Sequence, residues 1–164
     1  MEQTIFDVAN WFLSKSPMTH KKLQRLCYYA EAWSETLLGE PITQDVVFEA
    51  WMHGPVNRSL WGKYVHYEWD EIKRVESCPS FPSEKEEVLE SVWLTYGGLT
   101  GTQLEKLVHR EDPWRNQRLG LSTFESSHNV IQVEDMVQYY SQIYDPHPIK
   151  SHGYSSHFTP VLEE

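Results

Sequence analysis

The segments Lys22–Tyr29 (KLQRLCYY) and Ala50–Val56 (AWMHGPV) are the parts of the sequence that decide the fold. In the first segment and the residues after it, apolar side chains recur three and four positions apart, which predicts one face of an amphipathic helix. The second segment is a short apolar run that stops at Gly54-Pro55. Glycine there can adopt backbone angles that other residues avoid, and proline fixes its own φ. Together the segments predict a helix, a strand-like run and a locked turn in one compact unit. The apolar residues of the predicted helix face are Leu23, Leu26, Ala30, Trp33 and Leu37.

Capping signals predict where the helices of the N-terminal half begin and end. A first helix is expected over residues 3–15. Thr19 and Gly39 suit the N-cap and the C-cap of the second and longest helix. Asn57 is expected to cap a helix that continues to about residue 67.

The C-terminal half carries the same kind of signals. Ser83 with Glu86, and Thr100 with Gln103, each match a capping box at the start of a helix. Pro113 suits the first position of a short helix. A last helix is expected over residues 133–144, with inward-facing side chains from Val133, Met136, Val137, Tyr140 and Tyr144.

The fold class that these signals predict is mainly α, a compact single-domain helical bundle with a small β element. Residues 42–52 are rich in β-branched and aromatic side chains, which favours a short strand or an extended segment packed on the helices. A second short strand is expected around 129–132. Periodicity ends at Asp145, so we expect a domain over 1–144 and a loosely ordered C-terminal tail over 145–164.

The composition indicates a folded protein of one domain. The chain has 164 residues, with 7 Trp, 9 Tyr and 6 Phe, which is enough apolar material for a real core. Its apolar runs are too short to span a membrane, and it starts without a signal peptide. We therefore expect a cytoplasmic protein with no membrane partner, in which Cys27 and Cys78 are both reduced.

The charge is strongly negative, with a formal net charge of −10. Residues 1–82 hold 8 Lys and Arg against 11 Asp and Glu, and residues 83–164 hold 6 against 13. Neither half has the basic stripe that phosphate binding needs, so we expect no nucleic acid to bind this chain alone. An acidic chain suits a protein partner with a basic surface.

Signatures of enzyme chemistry are missing from the sequence. It has no glycine-rich phosphate loop, no HExxH, no GxSxG and no paired CxxC. His53 has no evident nucleophile beside it and is expected to be a turn residue whose ring caps a backbone group. The sequence therefore predicts a protein that is not an enzyme, with no catalytic, cofactor-binding or metal-binding residues and no cofactor.

Two other features allow alternative interpretations. His20, Lys21, Lys22 and Arg25 place positive charge at a helix N-terminus, which opposes the helix dipole. Either the cluster binds an acidic group, or Asp and Glu from a neighbouring helix offset it, which is the safer interpretation. Trp114 is either an interface anchor or, as we favour, a core residue.

A series of short motifs follows one order along residues 5–144. They are Asp7–Leu13 (DVANWFL), Met18-Thr19, Lys22–Leu26 (KLQRL), Tyr28-Tyr29, Gly39–Ile42 (GEPI), Glu49–Trp51 (EAW), Gly54–Val56 (GPV) and His109–Arg115 (HREDPWR). This ordered set resembles the Panacea domain family, which includes SocA-like antitoxins and GepA-like phage-associated proteins.

The resemblance implies an antitoxin of a toxin–antitoxin system that neutralises a cognate protein toxin by direct contact. Alternatives are an adaptor that delivers the toxin to an AAA+ protease, a phage-associated protein, and, as the least favoured, a hydrolase that uses His53. The turn and its surroundings are expected to form the partner-binding surface. The residues predicted for it are Trp51, His53, Gly54, Pro55, Val56, Arg58, Trp114 and Arg115.

Overall fold

Helix α2, His20–Leu38, runs through the centre of the protein, and the helices before and after it pack around it. The structure is a computed structural model and describes residues 2–144. It confirms the mainly α fold with a small β element. The other elements are α1 (Ile5–Leu13), β1 (Met18–Thr19), β2 (Glu49–Trp51), β3 (Gly54–Val56), α3 (Arg58–Tyr64), a 3-10 turn (Val65–Tyr67), β4 (Glu71–Ile72), α4 (Ser83–Tyr96), α5 (Gly101–Val108), α6 (Asp112–Asn116) and α7 (Val133–Ile143).

The caps predicted for α2 are confirmed. The Thr19 hydroxyl accepts a hydrogen bond from the Lys22 N–H at 3.2 Å, and Gly39 closes the helix in the left-handed region at φ +70°. The prediction of a single apolar face was wrong, because every residue from Leu23 to Ser34 is buried. α1, α3, α4, α5 and α7 all contact α2, so the helix has no solvent-facing side along this stretch.

The short strand or extended segment expected within 42–52 is confirmed, but the turn predicted at Gly54-Pro55 was wrong. Only Glu49–Trp51 forms a strand, and it pairs antiparallel with Gly54–Val56. The Gly-Pro pair therefore begins the second strand of a hairpin, and the turn consists of Met52-His53. Before the hairpin, the chain is anchored by the buried side chains of Ile42 and Phe48, and strand pairing with β3 begins only at Glu49.

Two backbone contacts join the predicted 129–132 segment to this hairpin. Ala50 donates to the carbonyl of Asn129 and Ile131 donates to the carbonyl of Phe48, both at 2.8 Å. Because Glu49 and Val130 form a single bridge, this segment is an addition to the edge of β2 and not a full strand. A second small sheet, which the sequence did not predict, pairs β1 with β4.

The capping predictions for the later helices had different outcomes. Thr100 and Gln103 form the predicted capping box of α5. Ser83 does not cap α4, because Pro82 holds the N-cap position and Ser83 is already helical. The Glu86 carboxylate, which would have completed that box, accepts a hydrogen bond from the Trp11 indole at 2.7 Å.

The inward face predicted for the last helix is largely confirmed. Met136 and Tyr140 are buried, and Tyr144 packs on the core, but Val133 is exposed. Val133 is the first residue of α7, and Val137 is half-buried. The predicted C-terminal tail lies outside the described residues.

A buried polar network ties α2 to α7 and to the start of α6. The Glu111 carboxylate accepts hydrogen bonds from the hydroxyls of Tyr29 at 2.8 Å and Tyr140 at 2.7 Å. Tyr140 is also 3.1 Å from the hydroxyl of Tyr28, and Tyr96 stacks on Tyr29. Burial raises the pKa of Glu111 to about 7, although both hydroxyls favour its charged form.

The two cysteines are free, as the sequence predicted, with Cys27 buried and Cys78 exposed. Burial raises the pKa of the Cys27 thiol well above its usual value, so this side chain packs as a small apolar group. None of the helices formed by residues 2–144 is long and apolar enough to cross a membrane.

Candidate partner-binding site

Two consecutive residues of α2 hold the hairpin of β2 and β3 in place. The Gln24 side chain donates to the carbonyl of Asn57 at 3.1 Å and accepts from its N–H at 2.9 Å. The Arg25 guanidinium donates to the carbonyls of His53 at 2.6 Å and Pro55 at 2.8 Å. All four side-chain bonds go to backbone, so they fix the path of the chain and leave the hairpin side chains available.

Gly54 is required at this contact for two independent reasons. Its φ is +136°, a conformation that L side chains rarely adopt. An added Cβ would also lie 2.5 Å from Nε of Arg25, because the guanidinium lies flat against the glycine. The prediction that this position uses the freedom of glycine is confirmed, and the closely packed guanidinium adds a second reason.

Arg25 remains a cation although it is buried. Burial lowers its pKa to about 10, while Glu105 acts in the opposite direction. Within residues 2–144 no carboxylate lies within ion-pair distance of it, so its hydrogen-bond partners are the two carbonyls. A buried charge held by neutral acceptors keeps a strong field around it.

A groove of about 670 Å³ lies beside the hairpin. We call it the tryptophan groove after Trp51, Trp61 and Trp69, which line it. Trp61 is 41% exposed and Trp69 is 83% exposed. Trp51 contacts the rings of Trp61 at 5.7 Å and His128 at 5.0 Å between centroids. The turn places His53 at the same groove, and β3 contributes Val56.

Lys21 and Arg25 of α2 are charged residues that line the tryptophan groove. Lys21 is paired with Glu105 of α5 at 2.5 Å, and the His53 ring is 3.4 Å from the other oxygen of that carboxylate. Burial would raise the pKa of Glu105, but Lys21 and His53 together lower it. Burial, together with the charge of Arg25, lowers the pKa of His20 to about 4, so His20 is neutral at pH 7.

These contacts settle two of the sequence interpretations. The Glu105 carboxylate of α5 offsets Lys21, as the safer interpretation held. Lys22 donates to the Gly97 carbonyl that ends α4, at 2.6 Å, and Arg25 bonds to backbone carbonyls instead of a carboxylate. The expectation for the His53 ring was wrong. The ring approaches the Glu105 carboxylate and not a backbone group, because the turn points it toward α5.

Arg58 and Glu49 support Trp51 from the outer side of the hairpin. The Glu49 carboxylate accepts hydrogen bonds from Arg58 at 2.7 Å and from the Trp51 indole at 2.8 Å. Burial would raise the pKa of Glu49, but these two bonds lower it. The guanidinium of Arg58 lies 5.7 Å from the centre of the Trp51 ring. An exposed arginine next to an aromatic ring is a common interface anchor.

Trp114 is a core residue, as we favoured. It is 7% exposed, its indole donates to the Trp51 carbonyl at 2.8 Å, and its ring stacks on His109. Trp114 therefore holds the backbone of β2 at Trp51. Arg115 is 3.8 Å from Asp112 and does not line the groove.

Most of the predicted surface therefore gathers at one hairpin. Trp51, His53 and Val56 line the groove, Gly54 and Pro55 contact Arg25, and Arg58 flanks Trp51. Sequence reasoning missed the residues that build the site from other elements. They are Gln24, Trp61, Trp69 and Arg118, whose guanidinium donates to the carbonyls of Ala50 and Glu125. Arg25 was considered in the cation cluster, but its contact with the hairpin was not predicted.

A sequence signal for Gln24 and Arg25 was present. They are polar residues between Leu23 and Leu26 on a predicted apolar helix, and buried polar side chains need partners. No group of three or more His, Cys, Asp or Glu residues suited to a metal ion occurs in the part of the chain that the structure describes.

Comparison with known proteins gives one family. The model of the family described as antitoxin SocA-like, Panacea domain, matches residues 23–115. No curated protein and no solved structure matches the chain. The matched region runs from α2 to α6 and so contains Gln24, Arg25 and the whole hairpin. Since it covers more than half of the chain, the protein belongs to the SocA-like antitoxin family of Panacea domains.

Proposed function

We propose that this protein is the antitoxin of a toxin–antitoxin system and that it neutralises a cognate protein toxin in the cytoplasm by direct binding. The observation that carries the proposal is that the family match includes both the hairpin and the helix residues that hold it. Binding of this kind requires no chemistry from the chain itself.

The hairpin has the properties of a preorganised binding surface. Hydrogen bonds from the side chains of Gln24, Arg25 and Trp114 hold its backbone, so little conformational freedom remains to be lost on binding. Trp51 belongs to it, and Arg58 at the start of α3 lies over the Trp51 ring. Tryptophan and arginine are the side chains that most often dominate interface energies.

The overall charge of −10 supports a toxin with a basic surface. Long-range attraction of this kind raises the association rate more than the affinity, and salt screens it. It brings the two proteins together, while the contacts at the hairpin determine how long the complex lasts.

Affinity purification from the native host, followed by co-expression, tests the proposal. We expect one stoichiometric small protein that arrests growth when expressed alone, and we expect co-expression of this chain to restore growth. A partner that is not toxic, or a toxic partner whose effect this chain does not relieve, would contradict the proposal. Recovery of no partner at all would favour a phage-associated role.

The half-life of the toxin separates sequestration from delivery to a protease. Simple sequestration leaves the toxin stable but inactive, so its half-life after a translation block should be unchanged or longer when this chain is present. A shortened half-life, together with co-purified unfoldase or protease subunits, would establish the adaptor mechanism instead.

A further inference from the structure

We propose that Glu111 is a positioning residue for the hairpin: it fastens α6, which holds β2, to two helices of the core, and a charge on its carboxyl weakens that hold. The proposed function assigns toxin binding to the hairpin, so the consequence of this inference for the toxin rests on that function. The link from Glu111 to the hairpin is a property of this chain alone.

The segment that begins at Glu111 leads directly to the hairpin. Glu111 is the N-cap residue of α6. Within α6, the Trp114 indole donates to the Trp51 carbonyl at 2.8 Å. Shortly after α6, the Arg118 guanidinium donates to the Ala50 carbonyl at 3.2 Å. Two successive carbonyls of β2 are therefore held by side chains that follow Glu111 closely in the sequence.

The side chain of Glu111 is bound to the helical core and not to the hairpin. The hydroxyls of Tyr29 in α2 and Tyr140 in α7 both donate to Oε1 of this carboxyl, at 2.8 and 2.7 Å. Glu111 is 3% exposed, and none of the ion pairs among residues 2–144 includes it. A buried carboxylate needs strong partners to remain charged, and this one has two neutral hydroxyls. The junction between α6 and the core is therefore sensitive to the charge of one group.

Glu111 is the group in this cluster that changes charge near neutral pH. Burial raises its pKa to about 7, while the two hydroxyl bonds and the charge of Arg110 act in the opposite direction. The hydroxyls around the carboxyl stay neutral, because burial raises the pKa of each of them well above its usual value. These hydroxyls belong to Tyr28 and Tyr29 of α2, Tyr96 of α4 and Tyr140 of α7.

Local opening of α6 and the hairpin should become easier as the pH rises. When this region opens, Glu111 meets water and its pKa returns toward the usual value of 4.5. The closed form keeps the proton up to about pH 7, whereas the open form releases it from about pH 4.5, so the closed form loses its advantage between these values. If opening exposes Glu111 fully, the opening equilibrium should increase by about seventyfold between about pH 5 and pH 8.

Hydrogen exchange of single amides tests the proposal, followed by NMR on the full-length protein and on its Glu111→Gln variant across this pH range. The N–H groups of Ala50 and Ile131, whose hydrogen bonds join residues 129–132 to the hairpin, report on its opening. After correction for the intrinsic exchange rate, their protection should fall by up to about seventyfold in the unmodified protein and stay constant in Glu111→Gln. The same pH course in both proteins would overturn the proposal.

The Val75 amide separates a local effect from a global one. It donates to the Leu13 carbonyl at 3.1 Å and forms no bond with α6 or the hairpin. Its protection should therefore follow the same pH course in the unmodified protein and in Glu111→Gln. A difference at Val75 as large as that at the hairpin would show that Glu111 stabilises the whole fold alike, and would overturn its assignment as a positioning residue.

Tyr140→Phe tests the link to the core without altering the carboxyl, with Tyr64→Phe as the matched control. Loss of the Tyr140 hydroxyl removes a bond that favours the charged carboxylate, so the fall in hairpin protection should extend to higher pH. Tyr64 is a buried tyrosine of α3, and its replacement should leave the pH course unchanged. Equal courses in the two variants would overturn the proposal. The exchange measurements involve no toxin, so their failure is separate from failure of the neutralisation assay.

Discussion

Replacement of Gly54 by alanine tests the contact on which the binding surface is built. The added methyl group would require a side chain at φ +136° and would lie 2.5 Å from Nε of Arg25. The guanidinium cannot move away without lengthening its hydrogen bonds to the carbonyls of His53 and Pro55, which flank the glycine. We therefore expect Gly54→Ala to destabilise the protein.

The magnitude follows from these two effects. A residue held in a disfavoured backbone region costs about 1–3 kcal/mol. A hydrogen bond from a charged donor contributes about 1.5–3 kcal/mol, so the loss of one of the two brings the total to about 2.5–6 kcal/mol. Domains are stable by only about 5–15 kcal/mol, so this is a large fraction. The melting temperature should fall by about 5 °C or more.

The free energy of unfolding in urea is measured for Gly54→Ala, with Gly62→Ala as the control. Gly62 lies in α3, has no atom within 4 Å of an added Cβ and does not have a positive φ. Its replacement should be neutral or stabilise by up to about 1 kcal/mol. In an Arg25→Ala background Gly54→Ala should cost only the backbone part, about 1–3 kcal/mol. A change below about 0.5 kcal/mol in Gly54→Ala itself would refute the reasoning.

Three further predictions concern pH, thiol reactivity and salt. The folded-state pKa of Glu111 is about 7 against a usual value of 4.5, so the fold favours the protonated carboxyl, and stability is lost as the pH rises from about 4.5 through 7. Gln cannot titrate, so the free energy of unfolding of Glu111→Gln minus that of the unmodified protein should increase by up to about 3 kcal/mol as the pH rises through this window. Urea unfolding at several pH values measures this difference, and a difference that does not depend on pH would contradict the prediction. Maleimide should label exposed Cys78 quickly and buried Cys27 only under unfolding conditions, and labelling of both at equal rates by mass spectrometry would count against the packing of α2. The association rate with the toxin should fall as salt is raised while the dissociation rate changes little in stopped flow, and a salt-independent association rate would remove electrostatic steering but not binding.

Signals that depend on a few neighbouring residues predicted the helices well. The caps at Thr19, Gly39, Asn57 and Thr100 each bond to groups within four residues, so their outcome depends little on the rest of the fold. Ser83 fails because its expected partner Glu86 bonds to Trp11, which is 75 positions away and makes no local signal.

The hairpin shows why the site was only partly predictable. Gly-Pro usually indicates a turn, and only pairing with Glu49–Trp51 makes Gly54–Val56 a strand. Gln24 and Arg25 form hydrogen bonds with backbone groups about thirty residues away. Hydrophobic periodicity predicts local structure only, so it could not predict these contacts. Trp69 and Trp51 are distant in the sequence, and the fold brings both to one groove.

The affinity of the purified toxin for two arginine variants tests the central claim most directly. Arg58 and Arg115 have side chains that are 59% and 58% exposed, and each is near an acidic residue, but only Arg58 lies over Trp51 of the tryptophan groove. We predict that Arg58→Ala weakens binding about tenfold, or about 1.4 kcal/mol, and that Arg115→Ala leaves the dissociation constant unchanged. Tight binding that survives Arg58→Ala, or that Arg115→Ala reduces more, would contradict the proposal that the toxin binds at this hairpin.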